Sequence, residues 1–331
     1  MKRQCPSLAE NGPTLNQSEL FDAGLLRRAA TKVRAETESE GETAVLESDF
    51  APPPKPPHFA HYDEANDIRL YHGNCLDLLD EIAAKYPDGI FDMIFADPPY
   101  FLSNGGSTCQ NGERVDVSKG DWDRSRGLCA DFRFTVAWLR RCRRVLNPGG
   151  TIWVSGTHHS IHVVGYVLQK LGFRILNDIV WEKPNPPPNL ACRQFTHSIE
   201  TLIWAARDED AGHVFNYDLM QRINRGSQMQ SVWRLNAPTA DEKALGEHPT
   251  QKPVALTTRC LLASTCEGDF VFDPFLGSGT TAIACLRNLR RFVGIDTRPA
   301  YVSLAVDRSR AEMEKGAGFF ALANFPLAGS V

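Results

Sequence analysis

Residues 269–296 read DFVFDPFLGSGTTAIACLRNLRRFVGID, and this stretch decides the fold. Its two ends are short apolar runs, DFVFD and RFVGID, separated by a glycine-rich turn and an amphipathic segment from Thr280 to Leu289. This order predicts a strand, a turn, a helix and a second strand, which is the repeating unit of a parallel sheet. Glycines at the turn would let a ligand approach the backbone closely.

The same alternation extends upstream of this unit. Further short apolar runs predict strands, namely IRLYHG, FDMIFA, TIWVSG, ILNDIVW and ETLIWAA. Helices are predicted over Phe132–Val145, His162–Leu171, Ala255–Thr265, Thr280–Leu289 and Ala300–Glu314. We therefore predict an α/β, Rossmann-like fold with a mainly parallel twisted sheet and helices on both faces.

Three segments interrupt or precede this alternation. Residues 1–56 are polar, contain the acidic run ETESEGE and end in APPPKPP, which predicts a flexible N-terminal extension. Residues 57–331 are then one domain, with two long irregular insertions at 101–128 and about 208–247. Because long loops inside a compact α/β domain are usually functional or disordered, both insertions are candidates for substrate binding.

Composition restricts the class of protein without identifying it. No apolar run reaches the ~20 residues that span a bilayer, and the N-terminus lacks a secretory signal, so we expect a cytoplasmic protein. The nine cysteines form no CxxC pair, which favours reduced, mostly buried thiols over a disulfide framework or zinc site. The net charge of −4 is compatible with nucleic-acid binding through a local basic region, and residues 101–145 hold nine basic against five acidic residues.

The first candidate site is Asp97-Pro98-Pro99-Tyr100, which follows the predicted strand FDMIFA. Ligands of open α/β sheets bind beyond the carboxyl ends of strands. Two prolines make the loop rigid, so it offers a carboxylate, backbone carbonyls and an aromatic ring within four residues. Two acceptors that take both hydrogens of an aromatic amino group would leave its lone pair able to attack an electrophile. A plain turn at the end of a strand remains the alternative.

The second candidate site is the glycine-rich turn Phe272–Thr281. The strand RFVGID ends in Asp296, which is placed to hydrogen-bond ribose hydroxyls. A pyrophosphate-binding loop would have the pattern GxGxxG, whereas this chain has GSGTTA without the third glycine. A nucleoside without pyrophosphate therefore fits better than a nicotinamide dinucleotide.

Together these motifs resemble the amino-methyltransferases of DNA, which pair a (D/N/S)PPY motif with an FxGxG motif. The order in this chain, with DPPY first, resembles their circularly permuted beta-class group. HPTQKP at His248–Pro253, CRQFTHSIETLIW at Cys192–Trp204 and KGDWD at Lys119–Asp123 extend the resemblance. It implies a methyltransferase fold that uses S-adenosylmethionine and a site-specific transfer to N6 of adenine in DNA. Cytosine N4, or RNA as substrate, remains the alternative.

The resemblance also assigns roles to individual residues. Asp97 and the Pro99 carbonyl would bind the target amino group, and Tyr100 would stack on the base. The implied catalytic residues are Asp97, Pro98, Pro99 and Tyr100. The implied cofactor-binding residues are Asn74, Cys75, Asp97, Thr250, Lys252, Asp273, Phe275, Gly277, Gly279, Thr280 and Asp296. Asn74 stands where many relatives have an acidic residue, and Asp77 is the alternative for that position.

DNA is the implied partner, and the target base must leave the duplex to reach the site. The candidate contacts are Lys119, Arg124 and Arg126 in the first insertion, and Arg222, Arg225, Gln228, Gln230 and Arg234 in the second. Ordinary solvated surface is the alternative for each. A homodimer and a cognate restriction endonuclease are open as further partners.

Two other clusters are interpreted as structural. His158 and His162 could share a helical face, but no carboxylate or cysteine accompanies them at ligand spacing, so no metal site is predicted. The arginines of RRCRRVL (residues 140–146) are interpreted as a solvated helix face rather than a DNA cleft.

Overall fold

The computed structural model describes residues 57–103, 107–110, 113–116, 119–186, 188–189 and 192–315 of the 331-residue chain. The predicted N-terminal extension, residues 1–56, lies outside this described part. The strands are β1 (His58–Asp63), β2 (Ile68–His72), β3 (Phe91–Ala96), β4 (Ser107–Gln110), β5 (Glu113–Asp116), β6 (Leu146–Gly156), β7 (Arg174–Glu182), β8 (Ile199–Ala206), β9 (Val232–Arg234), β10 (Phe270–Asp273) and β11 (Arg291–Asp296). The helices are α1 (Cys75–Lys85), α2 (Leu128–Val145), α3 (Ile161–Lys170), α4 (Tyr217–Ile223), α5 (Val254–Ser264), α6 (Thr280–Arg287) and α7 (Pro299–Glu314).

One large sheet organises the described part of the chain, with strand order β1-β2-β11-β10-β3-β6-β8-β7-β9. Five central neighbours, β2, β11, β10, β3 and β6, run parallel, while β1 and β8 pair antiparallel to their neighbours. Alternate side chains of each central strand enter opposite apolar cores. Phe95 and Val271 pack with α5 and α6, whereas Ile94 and Phe272 pack with α1, α2 and α3. The predicted fold class, a mainly parallel sheet with helices on both faces, is confirmed.

Several elements were absent from the sequence prediction. Helix α1 is amphipathic, with Leu78, Leu79 and Ile82 buried, and Asn74 caps its N-terminus by accepting a hydrogen bond from Leu76 N at 3.0 Å. The other missed elements are α4, the edge strands β1 and β9, and the β4–β5 hairpin inside the first insertion. Edge strands carry weaker apolar patterns because they bury less surface, which explains why β1 and β9 were missed.

The topology brings distant residues to one edge of the sheet. The central parallel strands place Asp97, Asp273, Asp296 and Asn74 at or just beyond their carboxyl ends. Strand β8 runs in the opposite direction to β6 and β7, so its amino end, which carries Glu200, lies at this same edge. The residue after β7, Lys183, arrives there as well.

The cysteine prediction holds at six positions and fails at one. Cys75, Cys129, Cys142, Cys192, Cys260 and Cys285 are free thiols, and four of them are buried. Cys266 is disulfide-bonded, so the expectation of reduced cysteines is wrong there. Within the described residues no helix combines the length and apolarity that a bilayer crossing requires.

Candidate active site

Asp97, the first residue after β3, lies in a dense polar network. Its Oδ2 accepts a hydrogen bond from the Lys252 ammonium at 2.6 Å. Its Oδ1 accepts from the Ser155 hydroxyl and, at 2.7 Å, from the Tyr100 hydroxyl. Both oxygens of the predicted acceptor carboxylate are therefore engaged by side chains of this chain.

Glu200 is a second carboxylate in the network that the sequence did not single out. It forms ion pairs with Lys183 and, at 3.6 Å, with Lys252. Burial alone would raise the pKa of Glu200, but the two ammonium groups outweigh it and hold the pKa below its usual value. Burial alone would lower the pKa of Lys252, but the charges of Asp97 and Glu200 raise it above its usual value. Glu200 and Lys252 are thus held in their charged forms in a largely buried site.

Tyr100 is turned into this network. Only 9% of its surface is exposed, and its hydroxyl also lies 3.1 Å from Ser155 Oγ and 3.2 Å from Glu200 Oε2. Burial, followed by the charges of Asp97 and Glu200, raises the pKa of Tyr100 well above its usual value, so it is a neutral phenol. The predicted stacking on a base requires the ring to become accessible from this buried position.

A cavity of about 1480 Å³ opens at the carboxyl edge of the sheet. Ten of the eleven predicted cofactor-binding residues line it: Asn74, Cys75, Asp97, Thr250, Lys252, Asp273, Phe275, Gly277, Thr280 and Asp296. Pro99 also lines it, so the DPPY loop and the glycine loop face one space. Gly279 is outside the lining. It faces α7 instead, where an added Cβ would lie 2.7 Å from the Ala305 Cβ.

Two carboxylates shape the part of the cavity at the glycine loop. Asp273 accepts hydrogen bonds from Phe275 N at 2.9 Å and Thr281 Oγ1 at 2.6 Å, and burial raises its pKa to about 7. Asp296 accepts from Gly277 N at 3.0 Å, which ties the end of β11 to the turn. Burial raises the pKa of Asp296 as well. Such carboxylates suit ribose hydroxyls and cationic groups of a ligand.

Asn74 and Cys75 lie where β2 leads into α1. Asn74 is exposed and lines the cavity, and its side-chain oxygen is used to cap α1. Its amide NH₂ is then the group that a ligand would meet. Cys75 is buried, which raises the pKa of its thiol to about 12 and keeps it uncharged.

An aromatic group closes another side of the cavity. Trp122, from the first insertion, stacks on His248 with ring centres 6.0 Å apart, and His248 meets Tyr301 edge-on at 4.3 Å. All three residues line the cavity. Trp122 Nε1 is buried and has no hydrogen-bond partner among the described residues, so a ligand acceptor could satisfy it. Burial lowers the pKa of His248 to about 4, so its ring is neutral at physiological pH.

A nucleoside cofactor fits this cavity. A Cβ at Gly277 would lie 3.3 Å from the His248 ring, so the absence of a side chain there keeps space open between the turn and the aromatic group. The carboxylates accept hydrogen bonds, while the amide and the unpaired indole N–H donate them. Together these groups suit ribose, an adenine ring and a cationic amino-acid tail. No group of three or more His, Cys, Asp or Glu able to hold a metal ion occurs among the described residues.

The predicted DNA-contacting residues occupy two places. Arg124 and Arg126 are exposed at the cavity rim, and Lys119 donates its backbone N–H to Ser103 Oγ at 2.7 Å. Arg222, Arg225, Gln228, Gln230 and Arg234 are all exposed. Arg234 pairs in register with Glu182 at the end of β7, which puts it at the same edge of the sheet as Asp97.

The arginines of α2 have structural partners. Arg141 and Arg144 both bind Asp80 of α1, at 2.9 and 3.2 Å, and Arg143 binds Asp208 at 2.8 Å. This part of the basic stretch therefore joins α2 to neighbouring elements through ion pairs, whereas a solvated helix face was expected.

Known proteins resemble the chain in sequence and in fold. Residues 91–307 match the sequence model of the N6_N4_Mtase family, described as DNA methylase. The type II methyltransferase M2.DpnII of Streptococcus pneumoniae is 48% identical over 254 residues, which cover 76% of this chain and 93% of that protein. M2.MboI of Moraxella bovis is 46% identical over 249 residues, covering 75% and 90%.

Solved structures agree. The crystal structure of the M1.HpyAVI–SAM complex has a TM-score of 0.56 and 26% identity, covering 73% of this chain and 98% of that one. The cytosine-N4-specific PvuII DNA methyltransferase, at 17% identity and a TM-score of 0.57, covers 75% and 90% and shares the fold. The chain belongs to the N6/N4 DNA methylase family and is an S-adenosylmethionine-dependent DNA methyltransferase.

Proposed function

We propose that this protein methylates N6 of a flipped-out adenine at a specific DNA site. One observation carries the proposal: β3 and β10 are adjacent parallel strands, and the loops that follow them face one cavity. Asp97, after β3, is the acceptor for the target amino group. Gly277, after β10, marks the side of the cavity where the cofactor binds.

The reaction needs little beyond positioning and hydrogen bonding. S-adenosylmethionine supplies an electrophilic methyl group on a sulfonium. Asp97 and the Pro99 carbonyl accept the two amino hydrogens, which favours a pyramidal nitrogen with an available lone pair. Lys252 and Ser155 hold the carboxylate of Asp97 in place. After transfer the nitrogen releases one proton to Asp97 or to water.

The residues that would hold the cofactor are those around the glycine loop. Asp296 would bind the ribose, Asp273 and Phe275 would face the methionine part, and Asn74 would donate to the adenine. Trp122 and His248 stack on each other in the lining of the same cavity and would shield the bound cofactor from solvent.

Exposure and positive charge support the proposed contacts with DNA. Arg124 and Arg126 at the cavity rim contact phosphates next to the extruded base, and the segment 208–247 reads the target sequence. Tyr100 leaves its buried position to stack on the base. Its hydroxyl then gives up its hydrogen bond to Asp97, and the incoming amino group takes that place on the carboxylate.

Three relatives named type II methyltransferases support a restriction-modification context, with a cognate endonuclease as partner and the cytoplasm as the site of action. Co-purification of a neighbouring endonuclease tests whether the protein has such a partner. Light scattering of the purified protein tests whether it is a homodimer.

The decisive experiment is expression in a methylation-free host, followed by sequencing that detects modified bases. We expect N6-methyladenine in one short sequence motif, and little or none when Asp97→Ala replaces the wild type. N4-methylcytosine would overturn the choice of base, and methylated RNA with unmodified DNA would overturn the choice of substrate.

A further inference from the structure

Glu200, the second residue of β8, is a buried carboxylate separated from Asp97 by a single ammonium group. Its side chain is 12% exposed, and its Oε1 accepts a hydrogen bond from Lys183 Nζ. Its Oε2 lies 3.6 Å from Lys252 Nζ. Burial would raise the pKa of Glu200, but Lys252 and then Lys183 hold this pKa below its usual value, so the carboxylate is charged at neutral pH.

Lys252 links the two carboxylates. Its ammonium donates hydrogen bonds to Asp97 Oδ2 at 2.6 Å and to the Thr250 carbonyl at 3.3 Å. The four charged groups therefore follow one another in the order Lys183, Glu200, Lys252 and Asp97. Cations and carboxylates alternate along this row, so their formal charges cancel.

Methyl transfer moves positive charge towards the Asp97 end of the row. The target nitrogen uses its lone pair to form a bond to the methyl carbon, while the bond from that carbon to sulfur breaks. The positive charge of the sulfonium thereby passes to the nitrogen, which then releases a proton to Asp97 or to water. Excess positive charge held near the nitrogen opposes this transition state, and a balancing carboxylate removes the opposition.

We propose that Glu200 is a positioning residue for methyl transfer. It acts through Lys252, whose ammonium it shares with Asp97, and it offsets the second ammonium group, that of Lys183. Without this carboxylate the two ammonium groups would have Asp97 alone to balance them. Glu200 does not line the cavity, whereas Lys252 and Asp97 do, so its effect reaches the target nitrogen through them. The inference rests on the proposed transfer at Asp97.

The first variant is Glu200→Gln, which keeps the size of the side chain and removes its charge. The measurements are the single-turnover rate with labelled S-adenosylmethionine at saturating DNA from a methylation-free host, and the Kd of S-adenosylhomocysteine. We expect the rate to fall about 30-fold, less than the loss of about 10²–10³ for a group that touches the reacting atoms. Kd should change by less than about threefold, because Glu200 lies outside the cavity lining.

A second substitution separates charge from structure. Lys183→Gln in the Glu200→Gln background removes the ammonium that has lost its carboxylate, so the formal charges cancel again. We expect the double variant to recover to within about fivefold of the wild-type rate. A purely structural role for Glu200 predicts no recovery, because a second substitution in the same network would then add damage.

Lys183→Gln alone changes the charge in the opposite direction. It leaves both carboxylates with the single ammonium of Lys252, which favours positive charge on the target nitrogen. Because the Lys183 side chain is 28% exposed and partly screened by solvent, we expect the rate to rise only about two- to threefold. This variant carries the test if Glu200→Gln does not fold.

Glu312→Gln is the matched control. Glu312 lies in α7, its side chain is 14% exposed, and it also pairs with two cations, Arg287 at 2.7 Å and Lys315 at 3.7 Å. It is about 16 Å along the helix from Tyr301, which lines the cavity. The control should lose free energy of unfolding in urea, as Glu200→Gln does, and keep a rate within about threefold of wild type.

The outcomes that overturn the inference are distinct. A rate for Glu200→Gln within about threefold of wild type does so, and so does a double variant as slow as Glu200→Gln or slower. A rise in Kd as large as the loss of rate also does so, because it marks damage to cofactor binding. If Glu200→Gln does not fold, a rate for Lys183→Gln at or below wild type overturns the inference. If the wild type itself transfers no methyl group to DNA, the proposed function fails instead, so the two failures are distinguishable.

Discussion

The Lys252 ammonium donates a hydrogen bond to Asp97 Oδ2 at 2.6 Å, joining two residues that are 155 positions apart in the chain. The contact links the HPTQKP and DPPY motifs, which the sequence shows only as separate elements. Lys252 is 6% exposed and lies between Asp97 and Glu200. Although burial opposes it, this ammonium helps to hold the pKa of Glu200 below its usual value.

Replacing Asp97 by alanine should slow methyl transfer severely while the cofactor still binds. Alanine has no acceptor oxygen, so it holds neither Lys252 nor the target amino group in place. We expect a loss of about 10²–10³ in rate, the range seen when one preorganised hydrogen-bonding group is removed. Single-turnover kinetics and calorimetry with S-adenosylhomocysteine measure the two properties separately.

Asp92→Ala is the matched control on the same strand. Asp92 lies near the other end of β3, where it accepts hydrogen bonds from Asn147 Nδ2 at 2.8 Å and Phe270 N at 2.9 Å. It should cost stability and leave the rate of transfer intact. Comparable rates for Asp97→Ala and wild type would contradict the assignment of Asp97.

Replacing Lys252 by methionine should destabilise the fold. The change leaves the carboxylates of Asp97 and Glu200 facing each other without the shared ammonium, and breaking a buried ion pair on one side costs about 3–5 kcal/mol. Urea unfolding at pH 7 measures the loss. The difference in free energy of unfolding between the variant and the wild type should narrow towards pH 4. The pKa of Glu200 is lower in the folded than in the unfolded protein, so Glu200 stabilises the wild type above the unfolded pKa. This stability is lost as pH falls through the folded pKa.

Lys243→Met makes the same exchange at an exposed pair. Lys243 Nζ and Glu247 Oε1 lie 3.9 Å apart, and the two side chains are 38% and 75% exposed. We therefore expect the variant to lose at most about 1 kcal/mol of free energy of unfolding. Equal losses of unfolding free energy for Lys252→Met and Lys243→Met would show that the buried ion pairs stabilise the fold no more than an exposed pair does.

Cofactor affinity should depend on pH through Asp273. Burial raises the pKa of Asp273 to about 7, and its ionised form is the one that attracts the positively charged cofactor. Protonation as pH falls through this value removes the attraction. If binding requires the ionised form, Kd for S-adenosylmethionine rises about tenfold between pH 8 and pH 6. Calorimetry in buffers of different ionisation enthalpy should also detect proton release on binding.

Two variants separate this effect from other titrations. Asp273→Asn should bind weakly at every pH and lose the dependence. Asp269 also has a pKa raised by burial, to about 6, but lies outside the cavity lining, so Asp269→Asn should keep the wild-type slope. A flat wild-type profile would refute the role of Asp273.

The sequence was most informative where local pattern and topology agree. Strands β3 and β11 have the predicted bounds because their apolar runs are buried on both faces. Glu200 and Lys183 could not be assigned, because only the reversed direction of β8 brings Glu200 to the active edge. Asp123 was quoted only as part of a motif, since nothing local indicates that its loop folds back onto residues 20 or more positions earlier.

The two glycines of the cofactor loop look equivalent in the sequence, and the structure separates them. Gly279, at φ +78°, would place a Cβ 2.7 Å from the Ala305 Cβ, in the contact between α6 and α7. Gly279→Ala should therefore cost about 1–2 kcal/mol of backbone strain plus about 1–3 kcal/mol of overpacking, measured as free energy of unfolding. Gly277, at φ +50°, would instead place its Cβ 3.3 Å from the His248 ring in the cavity.

Gly277→Ala should thus weaken S-adenosylmethionine binding, with a stability loss close to that of strain alone. Gly268→Ala supplies the strain reference, since Gly268 has φ +82° and no atom within 4 Å of an added Cβ. We expect about 1–2 kcal/mol for it and unchanged cofactor affinity. If Gly279→Ala lost affinity while keeping the stability of Gly268→Ala, the glycine would have to contact the cofactor directly, and its packing role against α7 would be wrong.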